Sequence, residues 1–552
     1  MDRRHALLAL AVLVTVCVWA VWPNGSGQSA ISTTRASSRP HATRARSKPA
    51  PRRASTVRPT TLASTGVPTA SWVEKENRKP GTRDWAITKL GATHEIEGYA
   101  DRVSAQQGDT VRLFVSTTAP TFSVEAYRMG YYQGLGGRLV WRSAPVQGVK
   151  QAAPVVVPGV NLVDARWQPS LSIPIDRSWP PGEYLFKLVA STGAQRWVPL
   201  TVRDDTSHAA YVVQSSVATW QAYNLWGGYD LYLGGPASHP SFAERARVVS
   251  FDRPYDHEGA NEFVGNELPL VSLVESKGLD VTYWTDVDLH RAPQLLLQHR
   301  ALVTLGHDEY WSTSMRTGAE TARDHGVNLA FLGANAVFRH VRVEPSRLGP
   351  DRHVVDYKSA AEDPTTDRSE VTVDWRAPPL DHPESTLLGQ EYECNPVDAD
   401  MVVVDSSQWE LAGTGLRDGS HLPHLVGSEY DRYNPNLPGP KNVTVLAHSP
   451  VRCQGRPSYA DVTYYSAPSG AGVFDTGTSL WVANLTGPCP QGGCHHSDAV
   501  VTITWNVLQA FGRGPAGLAH PSASNAQALP NGGAPRLGEV SNPGRGRVSS
   551  GE

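Results

Sequence analysis

The pattern of apolar and polar positions divides the chain into two parts with different periods. Between about residues 72 and 205, short segments such as VRLFV (111–115) and FSVEAY (122–127) alternate apolar and polar side chains with a period of two. Turn-forming stretches such as GYYQGLGG and SWPPGEY lie between the segments. Because short strands at this spacing are typical of two facing sheets, we predict a β-sandwich over residues 72–205.

After residue 205, short apolar runs alternate with segments of helical period. This alternation predicts right-handed strand–helix–strand units, and therefore an α/β domain with a parallel sheet over residues 206–513. One predicted helix, MRTGAETARDHG, is closed by Gly326. The other predicted helices lie at 267–277, 289–299 and 498–511, and the predicted strands at 210–213, 281–284, 302–305, 327–332, 399–404, 442–447 and 473–477.

The two ends of the chain lack the pattern of a folded domain. Residues 1–22 combine a basic flank with an uncharged apolar run, which is typical of an export signal, and the length of the run fits either a signal peptide or a signal anchor. Residues 23–71 are rich in Ser, Thr, Arg and Pro, and residues 514–552 in Gly, Pro, Ser and Asn, which predicts a disordered stalk and a disordered tail. We therefore expect the protein on the extracellular side of the cytoplasmic membrane, either anchored through its N-terminal segment or secreted.

The length of the chain predicts the number of its domains, and its net charge excludes one class of partner. A chain of 552 residues predicts two or three domains in addition to its tails. The formal net charge of -3 argues against a nucleic-acid partner, because nucleic-acid binders usually present a basic face.

The cysteines agree with an oxidising compartment. Cys17 lies in the apolar N-terminal run, which leaves four others. We predict a Cys489–Cys494 disulfide that closes the CPQGGC loop, and a Cys394–Cys453 disulfide from the remaining pair. The alternative for CPQGGCHH is a zinc site in which His495 and His496 join two thiolates.

Polar side chains follow two neighbouring strands of the predicted sheet. The run LVTL ends at Gly306 and is followed by His307 and Glu309, and the next predicted strand ends at Asn335. Because the carboxyl ends of parallel strands meet at one edge of a sheet, we expect these three side chains to share a cleft. A histidine beside a carboxylate can act as an oriented general base or can supply two metal ligands.

Several motifs in the second part of the chain together resemble a known family. They are TWQAYNLWGGYDLY, TDVDLH, LVTLGHDEYWS, NLAFLGANAVFRHVR and YECNPVDADMVV, and they cover about residues 211–511. In this order they are similar to the C-terminal domain of the N,N-dimethylformamidase large subunit. The resemblance implies a parallel-sheet glutamine amidotransferase-like domain preceded by a β-sandwich.

The resemblance also implies a site that holds a mononuclear iron between two tyrosines and one glutamate. Glu309 matches the glutamate ligand and Tyr223 one tyrosine. Tyr184 is our choice for the second tyrosine, with Tyr310 and Tyr229 as competitors.

The function implied is hydrolysis of a carbon–nitrogen amide bond in a small amide or peptide-like substrate. The sequence has no Gly-x-Ser-x-Gly elbow, which favours an activated water over a covalent intermediate. We expect His307 to hold or deprotonate this water, and Glu429 and Asn335 to contact the substrate. The alternative is a non-catalytic cell-surface protein that binds carbohydrate or peptide through the aromatic loop at 220–232.

Overall fold

The computed structural model describes residues 66–485 and 496–529. The predicted export signal at 1–22, almost all of the predicted stalk and the predicted Cys489–Cys494 disulfide lie outside these residues. Within the part of the chain that is described, no helix is long and apolar enough to cross a membrane.

The first part of the chain is rich in β-structure, as its period-two pattern predicts. Its strands form a three-stranded sheet of order β1-β3-β9, a sheet of order β2-β11-β10-β4-β5 with β6 beside β4, and a β7-β8 hairpin. Val111, Leu113 and Val124 point from the two larger sheets into one buried apolar cluster. The elements are α1 (Ser71–Asn77), β1 (Ile96–Ala100), β2 (Ser104–Ala105), β3 (Thr110–Thr117), β4 (Thr121–Met129), β5 (Gly137–Arg142), β6 (Val146–Gln147), β7 (Val155–Val157), β8 (Leu162–Asp164), β9 (Leu171–Pro174), β10 (Gly182–Ala190) and β11 (Gln195–Val202).

The second part alternates strands and helices, so the protein as a whole is a mixed α/β structure. Its main sheet has seven strands, which lie in the order β14 (Val281–Thr285), β12 (Tyr211–Ser215), β15 (Ala301–His307), β17 (Asn328–Ala334), β25 (Gly472–Asp475), β24 (Arg456–Ser466) and β23 (Thr444–Cys453). The first five strands are parallel, and the last two are antiparallel to their neighbours. The likeness to the glutamine amidotransferase fold, like the β-sandwich, stays a prediction.

The elements of the second part are β12 (Tyr211–Ser215), α2 (Val217–Ala222), β13 (Val248–Ser250), α3 (Asn261–Asn266), α4 (Leu268–Ser276), β14 (Val281–Thr285), α5 (Asp286–Arg291), β15 (Ala301–His307), β16 (Tyr310–Trp311), α6 (Thr313–Asp324), β17 (Asn328–Ala334), β18 (Arg339–His340), β19 (Arg342–Ser346), β20 (Gly349–Val355), α7 (Ser385–Leu388), β21 (Glu391–Val402), β22 (His421–Arg432), β23 (Thr444–Cys453), β24 (Arg456–Ser466), β25 (Gly472–Asp475) and α8 (Asp498–Arg513).

The central strands β15 and β17 are apolar and buried on both faces. Ala301 and Val303 of β15 belong to one apolar cluster, whereas Leu302 between them belongs to another, as strand geometry requires. This two-sided burial explains why these strands appear in the sequence as continuous apolar runs. It also leaves their carboxyl ends as the places where polar side chains can emerge.

Three predictions about element boundaries are wrong. The helix predicted at 289–299 ends at Arg291, and a 3-10 segment, Pro293–Gln298, follows, because proline lacks the backbone N–H that a helix interior needs. Residues 514–529 are not a disordered tail, since Ala526 and Leu529 are buried in an apolar cluster. The predicted stalk ends earlier than residue 71, because Thr69 pairs with Leu279 in an isolated antiparallel bridge.

The predicted Cys394–Cys453 disulfide is present and joins β21 to the end of β23. Its two cysteines are separated by 59 residues along the chain. A cross-link over a segment of this length restricts the unfolded chain, and it therefore stabilises the folded state by an amount on the order of 4 kcal/mol.

A buried ion pair joins the β-rich part of the chain to the α/β part. Arg128 in β4 and Glu275 in α4 have no exposed side-chain surface, and two guanidinium nitrogens donate to the two carboxylate oxygens at 2.5 and 3.0 Å. The Tyr283 hydroxyl also donates to Glu275 at 2.7 Å. Since the carboxylate has several donors, its charge is balanced without water.

Replacing Arg128 with Met should lower the free energy of unfolding by about 3–5 kcal/mol, because Glu275 would remain buried without its cation. Urea unfolding of the purified variant measures this change. Arg142→Met is the matched control, since the Arg142 side chain is 57% exposed in its ion pair with Glu125 and should cost only about 0–1 kcal/mol. Equal losses in the two variants would contradict the importance of the buried pair.

Candidate functional site

The buried side chain of Glu309 lies at the centre of a group of partly buried phenols. The residue has no exposed surface. The Tyr223 hydroxyl donates to Glu309 Oε2 at 2.6 Å, and the Tyr232 hydroxyl donates to Oε1 at 2.8 Å. The two hydroxyl oxygens are 3.1 Å apart. One carboxylate and two phenols thus place their oxygens around one point.

The ends of two parallel strands supply the other polar groups, as in the sequence-based prediction. His307 is the last residue of β15 and pairs in register with Ala334 at the end of β17. Asn335 follows β17, and its side-chain nitrogen lies 3.4 Å from His307 Nε2. Glu309 comes two residues after β15, where the Thr219 hydroxyl of α2 accepts a hydrogen bond from its backbone N–H at 3.0 Å.

His307 lies between two carboxylates. Its Nε2 is 3.3 Å from Glu309 Oε2 and 3.0 Å from Glu429 Oε2. Burial opposes the charged imidazolium, but Glu429 and Glu309 outweigh it and raise the pKa of His307 well above its usual range. The other oxygen of Glu429 accepts a hydrogen bond from Asn395 at 2.8 Å. The imidazole of His307 is therefore held in its protonated form by carboxylates on two sides.

The backbone around Tyr223 and Tyr232 is held by buried polar side chains. Tyr223 follows the last residue of α2, and Tyr232 lies nine residues later in an irregular loop. The guanidinium of Arg253 donates to the backbone carbonyl oxygens of Asn224, Trp226 and Tyr229. These hydrogen bonds fix the loop, so that both phenols face Glu309.

Two cations lie close to this group. Lys358 Nζ donates to the Tyr310 hydroxyl at 3.0 Å and lies 4.0 Å above the Tyr232 ring. Arg339 Nε is 3.4 Å from Glu309 Oε1. Burial would raise the pKa of the Glu309 carboxyl, but His307, Lys358 and Arg339 together lower it to about 2. Glu309 is consequently an anion at any physiological pH.

The pKa values of the phenols shift upwards, opposite to the net shift of Glu309. Burial first, and then the negative charge of Glu309, raise the pKa values of Tyr223 and Tyr232 well above 10. Both phenols therefore keep their protons unless a cation is bound next to their oxygens.

The structure places Tyr184 elsewhere. Its hydroxyl donates to the carbonyl oxygen of Pro180 at 2.7 Å, and its ring packs against Trp179 in the apolar cluster of the β-rich part. The prediction that Tyr184 is the second tyrosine ligand is therefore wrong, because its hydroxyl is bonded to Pro180 and not to Glu309. Tyr310 does belong to the group, where its hydroxyl donates to that of Tyr232 at 2.8 Å. Tyr229 contributes its backbone carbonyl oxygen to Arg253.

Sequence reasoning missed Tyr232, Lys358, Arg339 and Asn395. Tyr232 lies within the aromatic motif that we single out, but an irregular loop has no period from which the direction of a side chain can be predicted. Lys358 comes two residues after Asp356, and the two charged groups are 3.0 Å apart. This close spacing of opposite charges in the sequence is the signal that could have indicated a buried ion pair.

The aromatic loop does not form an exposed platform. Trp220 is 6% exposed and Trp226 is 7% exposed. Their indole nitrogens donate to the buried carboxylates of Glu267 and Glu97, respectively. The two tryptophans thus pack inside the protein and present no flat surface to a carbohydrate.

Comparison with known proteins relates this arrangement to a family. The family model of the N,N-dimethylformamidase beta subunit-like, C-terminal proteins matches residues 123–496, more than half of the chain. The chain belongs to this family. The match begins in β4, upstream of the motifs at 211–511 that carry the resemblance in the sequence. Membership indicates an amide hydrolase.

Other comparisons add little. No curated protein matches the chain. An uncharacterized protein from Bacillus anthracis is 13% identical, with 21% of this chain and 84% of that chain covered and a TM-score of 0.14. A cycloisomaltooligosaccharide glucanotransferase from Paenibacillus sp. is 9% identical, with 48% of this chain and 34% of that chain covered and a TM-score of 0.14. Neither likeness supports an argument about fold or function.

Members of this family are metal-dependent, and the part of the chain that the structure describes contains two groups of potential ligands. The first is the set of Tyr223, Tyr232 and Glu309 described above. The second is formed by Asp164, Asp252 and His353, whose ligand atoms lie within 4.8 Å of one another.

The lowered pKa of Glu309 predicts how stability depends on pH in chelator-treated protein. Because the pKa falls from 4.5 to about 2 on folding, the carboxylate contributes stability above pH 4.5 that is lost as the pH falls toward 2. The full contribution is on the order of 3 kcal/mol. Glu309→Gln should therefore weaken the acid dependence of the free energy of unfolding, measured in urea between pH 5 and pH 3.

Glu344→Gln is the control for this measurement, because the Glu344 side chain is 48% exposed. It should keep the wild-type dependence on pH. If Glu309→Gln keeps it as well, the acid sensitivity comes from other carboxylates.

Proposed function

We propose that this protein hydrolyses carbon–nitrogen amide bonds at a mononuclear iron held by Tyr223, Tyr232 and Glu309. The observation that carries the proposal is the convergence of three hard oxygen donors in a buried place. Each Glu309 oxygen lies within 2.8 Å of a phenolic oxygen, and the two phenolic oxygens are 3.1 Å apart. Tyr232 takes the place that the sequence-based prediction gives to Tyr184.

The donor set fits ferric iron. Phenolate and carboxylate are hard oxygen ligands, and an oxidising compartment keeps iron in the ferric state. Two phenolates and one carboxylate carry three negative charges, which a trivalent ion balances. The high pKa values of Tyr223 and Tyr232 do not oppose this, since a cation at the two oxygens replaces the phenolic protons.

Lys358 and Arg339 bring positive charge next to the proposed ligands, through contacts with Tyr310 and Glu309 respectively. Lys358 Nζ donates to Tyr310, whose hydroxyl in turn donates to Tyr232. A donor to a phenolic oxygen stabilises its anionic form. The chain of hydrogen bonds from Lys358 therefore orients Tyr232 and favours its phenolate.

Bound iron would polarise the amide carbonyl and lower the pKa of a water molecule. The remaining steps belong to side chains of this protein. His307 Nε2 is held in its charged form between Glu309 and Glu429, so it is placed to give a proton to the leaving amine. The Glu429 carboxylate, 3.0 Å from this nitrogen, is placed to take the proton of the water and to return it to His307. Glu429 keeps the imidazole oriented. Asn335, 3.4 Å from the imidazole, can hold the substrate carbonyl or amide nitrogen.

The substrate that suits this arrangement is a small amide or the amide bond of a peptide-like molecule. The Glu429 side chain is 10% exposed and that of His307 is 18% exposed, so the approach to the reacting groups is narrow. We also propose that the enzyme acts outside the cytoplasmic membrane, after export by the segment at 1–22. The burial of Trp220 and Trp226 removes the main support for the carbohydrate- or peptide-binding alternative.

Iron content and colour test the ligand set. Full-length protein should bind about one ferric ion and show a tyrosinate charge-transfer band in the visible range. Tyr223→Phe, Tyr232→Phe and Glu309→Gln should each lose the band and most of the iron. Tyr184→Phe is the matched control and should keep both, because Tyr184 bonds to Pro180 instead. A colourless wild-type protein that takes up no ferric iron would disprove the proposed site.

Activity of a His307→Gln variant separates proton transfer from metal binding. The variant should keep the iron and its visible band, whereas hydrolysis of small amides, measured as released amine, should slow by about 10²- to 10⁴-fold. Loss of the iron together with the activity would instead make His307 a ligand. Wild-type activity in the variant would exclude His307 as the proton carrier.

A further inference from the structure

A second group of potential ligands is formed by other residues, where the β7-β8 hairpin meets the β13-β20 pair. Asp164 is the last residue of β8, Asp252 comes two residues after β13, and His353 lies in β20. Backbone pairing sets their positions. His353 pairs in register with Ser250, and the N–H of Ala165 donates to the Asp252 carbonyl oxygen at 2.9 Å.

The spacing of the side chains does not fit a hydrogen bond. Asp164 Oδ1 and His353 Nε2 are 3.6 Å apart, beyond the range of a good N–H···O bond. Two ligand atoms that each lie about 2.0–2.2 Å from one tetrahedral cation are separated from each other by roughly 3.3–3.6 Å. The ligand atoms of all three residues lie within 4.8 Å of one another. The observed separation thus matches two ligands of a shared ion.

Neither of these atoms makes a hydrogen bond. Asp164 is 6% exposed, and its Oδ1 and His353 Nε2 have no hydrogen-bond partner among the described residues, although they face each other as a long ion pair at 3.6 Å. A carboxylate oxygen and an imidazole nitrogen that are shielded from water and make no hydrogen bond cost the folded state free energy. A bound cation would satisfy both atoms at once.

Asp252 keeps lone pairs for a metal next to its protein donors. It accepts hydrogen bonds from Arg352 Nε at 2.8 Å and from the Ser346 hydroxyl at 2.5 Å. Each of its oxygens has a second lone pair, so these bonds leave room for a metal. Arg352 and Arg166 place positive charge near the two carboxylates. A dication would therefore bind here through its bonds to the ligand atoms and not because of a surplus of negative charge.

We propose that Asp164, Asp252 and His353 bind a divalent transition metal of the zinc type. One imidazole nitrogen and two carboxylate oxygens are typical zinc ligands, whereas magnesium and calcium prefer oxygen alone. The ion would tie the β7-β8 hairpin to the β13-β20 pair, and its role is structural. The proposal does not depend on the iron site, which uses other residues.

Zinc binding to chelator-treated full-length protein tests this proposal. The protein for the titration carries Glu309→Gln, Cys489→Ser and Cys494→Ser, so that neither the phenol site nor the CPQGGC loop can take up the metal. Calorimetry should show one zinc ion bound, and zinc should raise Tm. Adding Asp164→Asn or His353→Gln should weaken binding by more than about tenfold, since even outer partners of metal ligands contribute that much.

The matched control is His257→Gln, because the His257 side chain is 70% exposed and outside the site. It should leave the zinc affinity and the Tm shift unchanged. X-ray absorption of the bound zinc is a second measurement that needs no variant of the site. It should show an imidazole and oxygen atoms at about 2.0–2.2 Å.

Three results would overturn the proposal. The first is the absence of zinc uptake by the protein with an intact Asp164, Asp252 and His353 set. The second is an affinity that stays the same in Asp164→Asn and His353→Gln. The third is a zinc spectrum that lacks an imidazole. The last two would mean that zinc binds elsewhere on the protein.

Discussion

Glu309 is a carboxylate with no exposed surface, and the protein itself has to balance its charge. It does so with two phenolic hydroxyls, an imidazole and the cations Lys358 and Arg339. These groups come from four separate places in the chain. The need to stabilise one buried anion therefore fixes the relative positions of the strand ends, the aromatic loop and the segment that follows β20.

The same physical constraint recurs at the junction of the β-rich and α/β parts. The Arg128–Glu275 ion pair is fully buried, and the Tyr283 hydroxyl and the Asn77 side-chain amide also donate to the carboxylate. The Asp164, Asp252 and His353 group lies in the same compact unit and is only partly satisfied by Arg352 and Ser346. Buried carboxylates are thus balanced in two ways in this protein. Donors of the protein neutralise Glu275, whereas we propose that a cation completes the group of Asp164, Asp252 and His353.

Much of the secondary structure could be predicted from the sequence, because local patterns encode it. The strands β15 and β17 and the helices α6 and α8 lie where apolar runs, helical period and Gly326 place them. The convergence of His307, Glu309 and Asn335 could also be predicted, since parallel strands bring their carboxyl ends to one edge. The errors arose where one residue overrides a pattern, as Pro293 does, or where a stretch of weak pattern such as 514–529 packs on the core.

The sequence by itself determined the family, the order of strands and helices, and the Cys394–Cys453 disulfide. Only the tertiary structure decided which tyrosine stands beside Tyr223. Tyr184 and Tyr232 are chemically equivalent in the sequence, but one lies in a strand that faces an apolar cluster and the other in an irregular loop. The direction of a loop side chain depends on distant contacts, here those of Arg253, and no local period encodes them.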